Sequence, residues 1–212
     1  ALKHDTGISM CAYNLIKGKT KDIKGFYNDV DTITNTQLMK DIYTYKNMGV
    51  LWNKLFKRTV FFSNDNSLAR FNEDLHFCED VLILTEITTN SSYIAVCSKA
   101  LYNYVINEDS LCHGGISERR LTILKALDLI TAKCSENFPS IIKFAEYFSI
   151  SNKIGTLLKL MDTNSIPDKK LRINALKKDL KKHAKSIDAK MKLNILIAVY
   201  FPSVYKLMKK IK

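Results

Sequence analysis

The sequence lacks the cysteine spacing that builds a disulfide framework or a zinc knuckle. It has five cysteines, an odd number, and no two of them form a C-x-x-C pair: Cys11, Cys78, Cys97, Cys112 and Cys134. Because structural disulfides and zinc sites use paired cysteines at short spacings, the pattern argues against both. Scattered free cysteines favour a reducing compartment, and we expect a cytoplasmic protein.

Long apolar runs, internal repeats and low-complexity tracts are also missing. No apolar run approaches the roughly 20 residues that cross a bilayer, and no secretory signal opens the sequence. We therefore expect that the chain does not cross a membrane by itself. A hydrophobic content of 46% with 25% charged residues is ordinary for a folded globular protein and argues against disorder.

Positive charge is concentrated in the second half of the chain. Residues 1–115 carry 12 Lys and Arg against 13 Asp and Glu, a net charge of −1, whereas residues 116–212 carry 21 against 8, a net charge of +13. This change in composition follows Gly114-Gly115. We therefore predict two regions, residues 1–115 and residues 116–212.

The first region has a mixed strand and helix pattern. Residues Ile8–Ile16 have β-forming side chains, and a helix is predicted to begin at Thr34 or Asn35. A second helix is predicted from Glu79 to about Thr89. Two short β-rich runs follow, "SYIAVC" and "ALYNYVIN", and alternation places Tyr102 and Tyr104 on one face of the second run. The chain meets its first strand almost at once after Ala1, without an initiator methionine, so we expect a fragment whose earlier part is absent.

The second region is predicted to be helical, amphipathic and basic. Leucines from Leu121 to Leu129 recur at helical spacing, Pro139 fits the first turn of a second helix, and Pro167-Asp168 fits the start of a third. In the third helix the apolar residues form one stripe and the lysines fall largely elsewhere. The stripe consists of Ile173, Leu176, Leu180, Ala184 and Ile187.

An acidic pair, Glu79-Asp80, directly precedes the apolar residues 81–84. In the first turn of a helix, free backbone N–H groups and the macrodipole stabilise ionised carboxylates. A carboxylate fixed at the edge of a core can accept a proton from a hydroxyl group, as a general base does. The competing interpretation is that the pair only caps the helix, and for an isolated acidic pair this is the more common case.

Three segments in order resemble one enzyme family. They are "VLWNKLFKR" at Val50–Arg58, "FNEDLHFCEDVLIL" at Phe71–Leu84 and "ALYNYVINEDSLCHG" at Ala100–Gly114. The first is similar to a W-N-K-L-[YF]-[KR] segment, the second to an f-x-E...G-E-D-[LV]-x-F block, and the third to a closing strand lYxYrxrxxSi. With the strand "GISMCAYNLIKG", the chain over residues 7–114 resembles the family-2 glycosyltransferases of the GT-A fold, in particular bacterial enzymes of surface-glycan assembly.

The resemblance implies the fold and the reaction. The fold class would be α/β, a partial GT-A (Rossmann-like) mixed sheet followed by a mainly α-helical C-terminal region. The reaction would be transfer of a sugar from a nucleotide-sugar donor to a hydroxyl of a cell-surface glycan or lipid-linked acceptor. By position, Asp80 would be the general base, with Glu79 as its neighbour and orienter. The resemblance also implies substrate contacts from five more positions: Trp52 by stacking, Asn53 and Lys54 beside it, with Lys54 meeting a phosphate, and the pair Tyr102 and Tyr104. Trp52 could equally be a core residue and Lys54 a solvated one.

The chain departs from the family pattern at several positions. Cys78 stands where the family often has glycine, and Val105-Ile106 replaces a basic residue. The D-x-D motif that holds Mg²⁺ or Mn²⁺ against the diphosphate is missing, because "DVD" at Asp29–Asp31 lies among polar residues and is interpreted as a turn. We therefore expect a divalent cation in the full-length enzyme and none on this chain alone, with His113 a weak candidate ligand. The chain alone is expected to be inactive.

Residues 168–212 carry 14 Lys and Arg against three Asp, a net charge of +11, interleaved with apolar residues. Such a segment suits an anionic membrane surface, and an enzyme peripheral on the inner face of the cell membrane would meet a lipid-linked acceptor there. An ordinary solvated helical bundle is a strong competitor. The alternative function is a non-catalytic basic module that binds anionic membrane or nucleic acid. Nucleic acid is disfavoured because arginine is scarce and no recognition motif is found.

Overall fold

The computed structural model describes residues 4–27, 30–62, 66–107 and 115–210. A mixed five-stranded sheet and its helices come first, and a series of helices follows. The elements in chain order are β1 (Ile8–Lys17), β2 (Thr20–Lys24), β3 (Thr32–Thr34), α1 (Asn35–Tyr43), β4 (Lys54–Phe56), α2 (Glu79–Ile87), β5 (Tyr93–Val105), α3 (Glu118–Leu121), α4 (Ile123–Asn137), α5 (Ile142–Asp162), α6 (Lys169–His183), α7 (Ala189–Tyr200) and α8 (Pro202–Lys210).

Strand β1 lies at the centre of the sheet. It pairs in parallel with β5 along one edge, and on its other edge it pairs antiparallel with β4 at its start and with β2 at its end. Strand β3 continues the sheet beyond β5. Between β4 and β2, Asn53 pairs with Cys11: the Cys11 N–H donates to the Asn53 carbonyl at 2.9 Å, and Asn53 Nδ2 donates to the Cys11 carbonyl at 3.1 Å.

Strand β5 is a single strand with an irregularity, where two short runs were predicted. Within the stretch that pairs with β1, residues 94–105, three residues have no register partner: Ser98, Lys99 and Leu101. The first irregularity lies between Cys97 and Ala100, which are the last and first residues of the two predicted runs. The break in the sequence pattern therefore marks a bulge inside one strand.

The predicted starts of α1 and α2 are confirmed. Thr34 caps α1, and its hydroxyl accepts a hydrogen bond from the Gln37 N–H at 3.0 Å. Helix α2 begins at Glu79, as predicted, and Cys78 before it has a left-handed backbone with φ of 63°. Glycine adopts this conformation most easily, so Cys78 occupies a position that favours glycine.

Two clusters of buried side chains stabilise the molecule. The larger joins one face of the sheet to α1, α2, α4 and the first part of α5, as Ile8, Leu38, Leu84, Leu127 and Phe148 illustrate. The second joins the rest of α5 to α6, α7 and α8 through Ile154, Leu157, Leu180, Ile195 and Tyr205. Helix α5 contributes to both clusters, and it is the longest helix of the described residues.

A buried lysine links three of the helices. Lys153 of α5 is 2% exposed, and its ammonium donates to Asp128 of α4 and to Asp179 of α6, each at 2.7 Å. Burial alone would lower the pKa of Lys153, but the two carboxylates outweigh it and raise the pKa above its usual value.

The helical second region is confirmed, with more helices than the sequence pattern indicated. Pro139 opens a short 3-10 turn before α5, and α6 follows Asp168, whose backbone is left-handed. Of the predicted stripe in α6, Leu176 and Leu180 are buried, but the helix ends at His183. Within the described ranges, none of the helices has both the length and the apolar character needed to cross a membrane.

Candidate functional site

Gly49, the residue just before the segment Val50–Arg58 (the W-N-K segment), packs against the start of α2. A Cβ atom built on Gly49 would lie 2.5 Å from Cγ2 of Val81, so only glycine fits there without a shift. Farther along the segment, the Lys54 N–H donates to the Leu51 carbonyl at 2.9 Å and closes a turn. The turn, together with the Asn53 pairing to Cys11, fixes the loop that carries Trp52 against β1.

Lys54 folds back into its own loop. Its ammonium donates to the Val50 carbonyl at 2.6 Å, to Asn53 Oδ1 at 3.0 Å and to the Met48 carbonyl at 3.4 Å. These three oxygens account for its three N–H donors. The residue is 6% exposed, and burial lowers its pKa to about 8, although Asp80 and Cys11 act in the opposite direction. The geometry favours a role in holding the loop over direct contact with a phosphate.

Asp80 points toward the same loop. The Leu51 backbone and the ammonium of Lys54 both act on its carboxylate and favour the ionised form. The side chain is half-buried, and burial is the largest cause that raises its pKa, followed by the negative charge of Glu79. Lys54 and the Leu51 N–H oppose that rise without cancelling it.

Glu79 faces a different part of the surface. It lines a hollow of about 180 Å³ between the 70–72 segment, α2 and α4, and Asp80 is not among the residues of that hollow. The acidic pair therefore acts as two separate groups. Glu79 affects Asp80 through its charge, and the Leu51 backbone lies close enough to stabilise the ionised Asp80 carboxylate.

The predicted aromatic residues come together. The Trp52 ring stacks on Tyr102 with centroids 4.4 Å apart and on Tyr104 with centroids 5.2 Å apart, at interplanar angles of 22° and 18°. Both tyrosines therefore lie on one face of β5, as alternation predicted. Tyr13 packs edge-on against Trp52 at 5.0 Å and in turn contacts Phe26. Stacking fixes the plane of the indole ring.

A cavity of about 580 Å³ lies beside this cluster, on the sheet face formed by Ser9, Cys11 and Cys97. Four of the predicted substrate-binding residues line it, namely Trp52, Asn53, Lys54 and Tyr102. Asp80 and Tyr104 are not part of its lining. Asp80 instead contacts the 50–54 loop through Leu51, and Lys54, which lines the cavity, is its electrostatic partner.

Several lining residues were not predicted from sequence. Cys11 and Cys97 are register partners on β1 and β5. His4 and Asp31 also line the cavity, and His4 Nε2 lies 3.7 Å from Asp31 Oδ2. The alternation of small and apolar residues in β1 could have indicated Cys11, but His4 and Asp31 are brought in by tertiary contacts. His113 lies outside the described residues.

No protein-family model matches the chain, and neither does any curated protein. In the part of the chain that the structure describes, no three His, Cys, Asp or Glu side chains group as metal ligands would. The arrangement of Asp80, the 50–54 loop and the aromatic cluster is therefore the basis for a functional proposal.

Proposed function

We propose that this chain carries the acceptor side of a GT-A glycosyltransferase of family-2 type. The reaction would move a sugar from a nucleotide-sugar to a hydroxyl of a cell-surface glycan or lipid-linked acceptor. In this proposal Asp80 accepts the proton of the attacking hydroxyl, and Trp52, stacked on Tyr102 and Tyr104, provides an aromatic wall for a sugar ring.

The observation that carries the proposal is the proximity of Asp80 to the loop of residues 50–54, where both the Leu51 backbone and Lys54 act on its carboxylate. Residues 50–58 and the acidic pair belong to two of the segments that resemble the family, and twenty residues separate them in the sequence. Their contact brings a carboxylate of raised pKa next to the loop that holds the only tryptophan. A raised pKa makes a carboxylate a stronger base when ionised, which suits proton abstraction.

The backbone at Cys78 gives further support. Its φ of 63° explains why a glycine would be favoured at the position before the acidic pair, which is where the resembled family often has one. In this proposal Lys54 is a positioning residue, because its ammonium holds the carbonyls of Met48 and Val50 and lies near Asp80.

The expected Mg²⁺ or Mn²⁺ ion does not fit the residues described here, because they offer no group of three ligands. We assign such an ion to the full-length enzyme, together with binding of the donor diphosphate. No step of the proposal for this chain depends on it.

The test is the substitution Asp80→Asn in the full-length enzyme. Asparagine keeps the size and the acceptor oxygen for the Leu51 N–H but cannot take up a proton. We expect sugar transfer to fall by at least about a hundredfold, the effect of removing a general base, with donor binding unchanged. Retained turnover would refute the assignment of Asp80.

Glu79→Gln is the matched variant. Removing the negative charge next to Asp80 lowers the pKa of Asp80, so the acidic limb of the pH–rate profile should move to lower pH while transfer is retained. A loss as large as that of Asp80→Asn would instead show that Glu79 takes part directly.

A further inference from the structure

Exposed apolar side chains are concentrated on the last two helices. Seven of the eighteen large hydrophobic side chains that are exposed in the described ranges lie within residues 193–208, each 37–63% exposed. We name these residues the C-terminal apolar surface: Leu193, Leu196, Tyr200, Phe201, Val204, Leu207 and Met208. A concentration of this kind on a folded protein marks a contact site.

These side chains lie on the outer sides of α7 and α8. In α7, Leu193, Leu196 and Tyr200 recur at spacings of three and four, while Ile195 and Val199 are buried in the second core cluster. In α8, buried Tyr205 fixes the helix to the same cluster, and Lys206 pairs with Asp162 of α5. The exposed apolar side chains are therefore held in place by a folded core.

The charges around this surface are of one sign. Residues 189–210 contain five lysines and no acidic residue: Lys190, Lys192, Lys206, Lys209 and Lys210. Lys181 of α6 adds to them, because its ammonium lies 4.6 Å from the centroid of the Tyr200 ring. An apolar surface bordered by cations is complementary to an anionic bilayer, where apolar side chains enter the acyl region and lysines reach the headgroups.

Other occupants match these features less well. A second copy of the chain would bring two lysine-rich borders together, and like charges across an interface oppose association. A nucleic acid would engage the lysines through its phosphates but leave Leu193, Val204 and Met208 without apolar contacts. Of these three occupants, the bilayer is the one that uses both the charge and the apolar side chains.

We propose that α7 and α8 dock on the surface of an anionic membrane through the C-terminal apolar surface. The proposed membrane contact is smaller than the one that the sequence predicts, which includes all of residues 168–212. Helix α6 is left out because its apolar residues Leu176 and Leu180 are buried in the core. The proposal does not depend on the proposed reaction, and it identifies a bilayer as a partner of these two helices.

The experiment is flotation of the whole chain with phosphatidylcholine vesicles and with vesicles containing 30% phosphatidylglycerol. We expect at least tenfold tighter partition onto the anionic vesicles. The double substitution Phe201→Ser with Leu207→Ser should weaken that partition about tenfold, because it removes apolar area and leaves the charge unchanged. Both side chains are largely exposed, so the fold should persist, and circular dichroism checks this.

The matched control is Ile23→Ser with Leu171→Ser, two side chains 69% and 70% exposed that lie outside the C-terminal apolar surface. It should change partition by less than twofold. Equal partition of the wild type onto both vesicle types, or full partition of Phe201→Ser with Leu207→Ser, would overturn the proposal. So would binding to duplex DNA in place of vesicles, or a concentration-dependent dimer that the double substitution abolishes without any vesicle binding.

Discussion

Folding removes water from around the Asp80 carboxylate. The favourable interactions with Lys54 and the Leu51 backbone do not fully replace the lost solvation of the ionised form. The pKa of Asp80 is raised by burial and by Glu79, against the Leu51 N–H and Lys54. Because the folded-state pKa lies above the unfolded value, ionising Asp80 costs folding free energy. The cost is absent below the unfolded pKa of 3.8 and is complete above the folded-state pKa.

We therefore predict that Asp80→Asn makes the chain more stable than the wild type at pH 7, because asparagine resembles the protonated acid. The difference in the free energy of unfolding should shrink as the pH falls through the folded-state pKa toward 3.8. Urea unfolding at a series of pH values, followed by fluorescence, measures this difference.

Asp74→Asn provides the control, because the pKa of Asp74 is shifted in the opposite direction to that of Asp80. Its hydrogen bond and ion pair with Lys125 lower the pKa of Asp74, so the substitution should give no gain in stability at pH 7. A loss of stability in Asp80→Asn at pH 7 would show that the native contacts of the carboxylate outweigh its desolvation.

Single residues were predicted from sequence to different degrees. The alternation in β5 correctly placed Tyr102 and Tyr104 on one face, because a strand fixes that geometry locally. The burial of Lys54 could not be predicted, because the carbonyl groups it binds come together only when the loop closes. The different surroundings of Glu79 and Asp80 likewise depend on α4 and the 50–54 loop, which are distant in sequence.

Among the elements, the contact between the W-N-K segment and α2 depends on a glycine. Gly49 approaches Val81 so closely that an added Cβ would lie 2.5 Å from its Cγ2 atom. Valine is β-branched and has little freedom to move aside. The position of the loop relative to Asp80 therefore depends on a small residue at position 49.

We predict that Gly49→Ala lowers the free energy of unfolding by about 1–3 kcal/mol, the usual cost of overpacking. Gly155→Ala, in α5, is the control: apart from the adjoining residues of the helix itself, no atom lies within 4 Å of the added Cβ, and alanine should stabilise the helix by about 0.5–1 kcal/mol. Chemical denaturation of both variants provides the measurement.

Val81→Ala removes the Cγ2 atom, so the double variant Gly49→Ala with Val81→Ala should recover part of the loss. Strictly additive effects of the two substitutions would mean that the two side chains do not meet.

Element starts were predicted better than element ends. Thr34, Glu79, Pro139 and Asp168 carry local signals, and helices begin at or just after each of them. The end of α6 at His183 and the separation of α7 from α8 were missed. Pro202 was an available signal, because the residue before a proline avoids helical geometry, and Phe201 is indeed non-helical.

At the scale of the molecule, α5 connects the two core clusters. Phe148 belongs to the cluster beneath the sheet, whereas Ile154 and Leu157 belong to the C-terminal one. A division at residues 115/116 was predicted from charge, and it stays a prediction. The continuous helix leads us to expect that the two clusters unfold together.

Leu180→Ala tests this expectation. Leu180 is fully buried in the second cluster, so the substitution should cost about 2–5 kcal/mol. Trp52 is the only tryptophan and lies near the sheet, far along the chain from α6. We expect its fluorescence transition to shift together with the helical circular dichroism signal. An unchanged fluorescence midpoint would show that the clusters unfold separately.

The bulge in β5 also affects how readily another chain could pair with the open edge of the sheet. Beyond its pairing with β3, which covers residues 93–95, no described strand borders the outer edge of β5. A regular open edge of this kind is a template on which identical chains stack into fibrils. The unmatched residues Ser98, Lys99 and Leu101 interrupt the repeat, and Lys99 adds a charge, so we expect the irregularity to oppose such stacking.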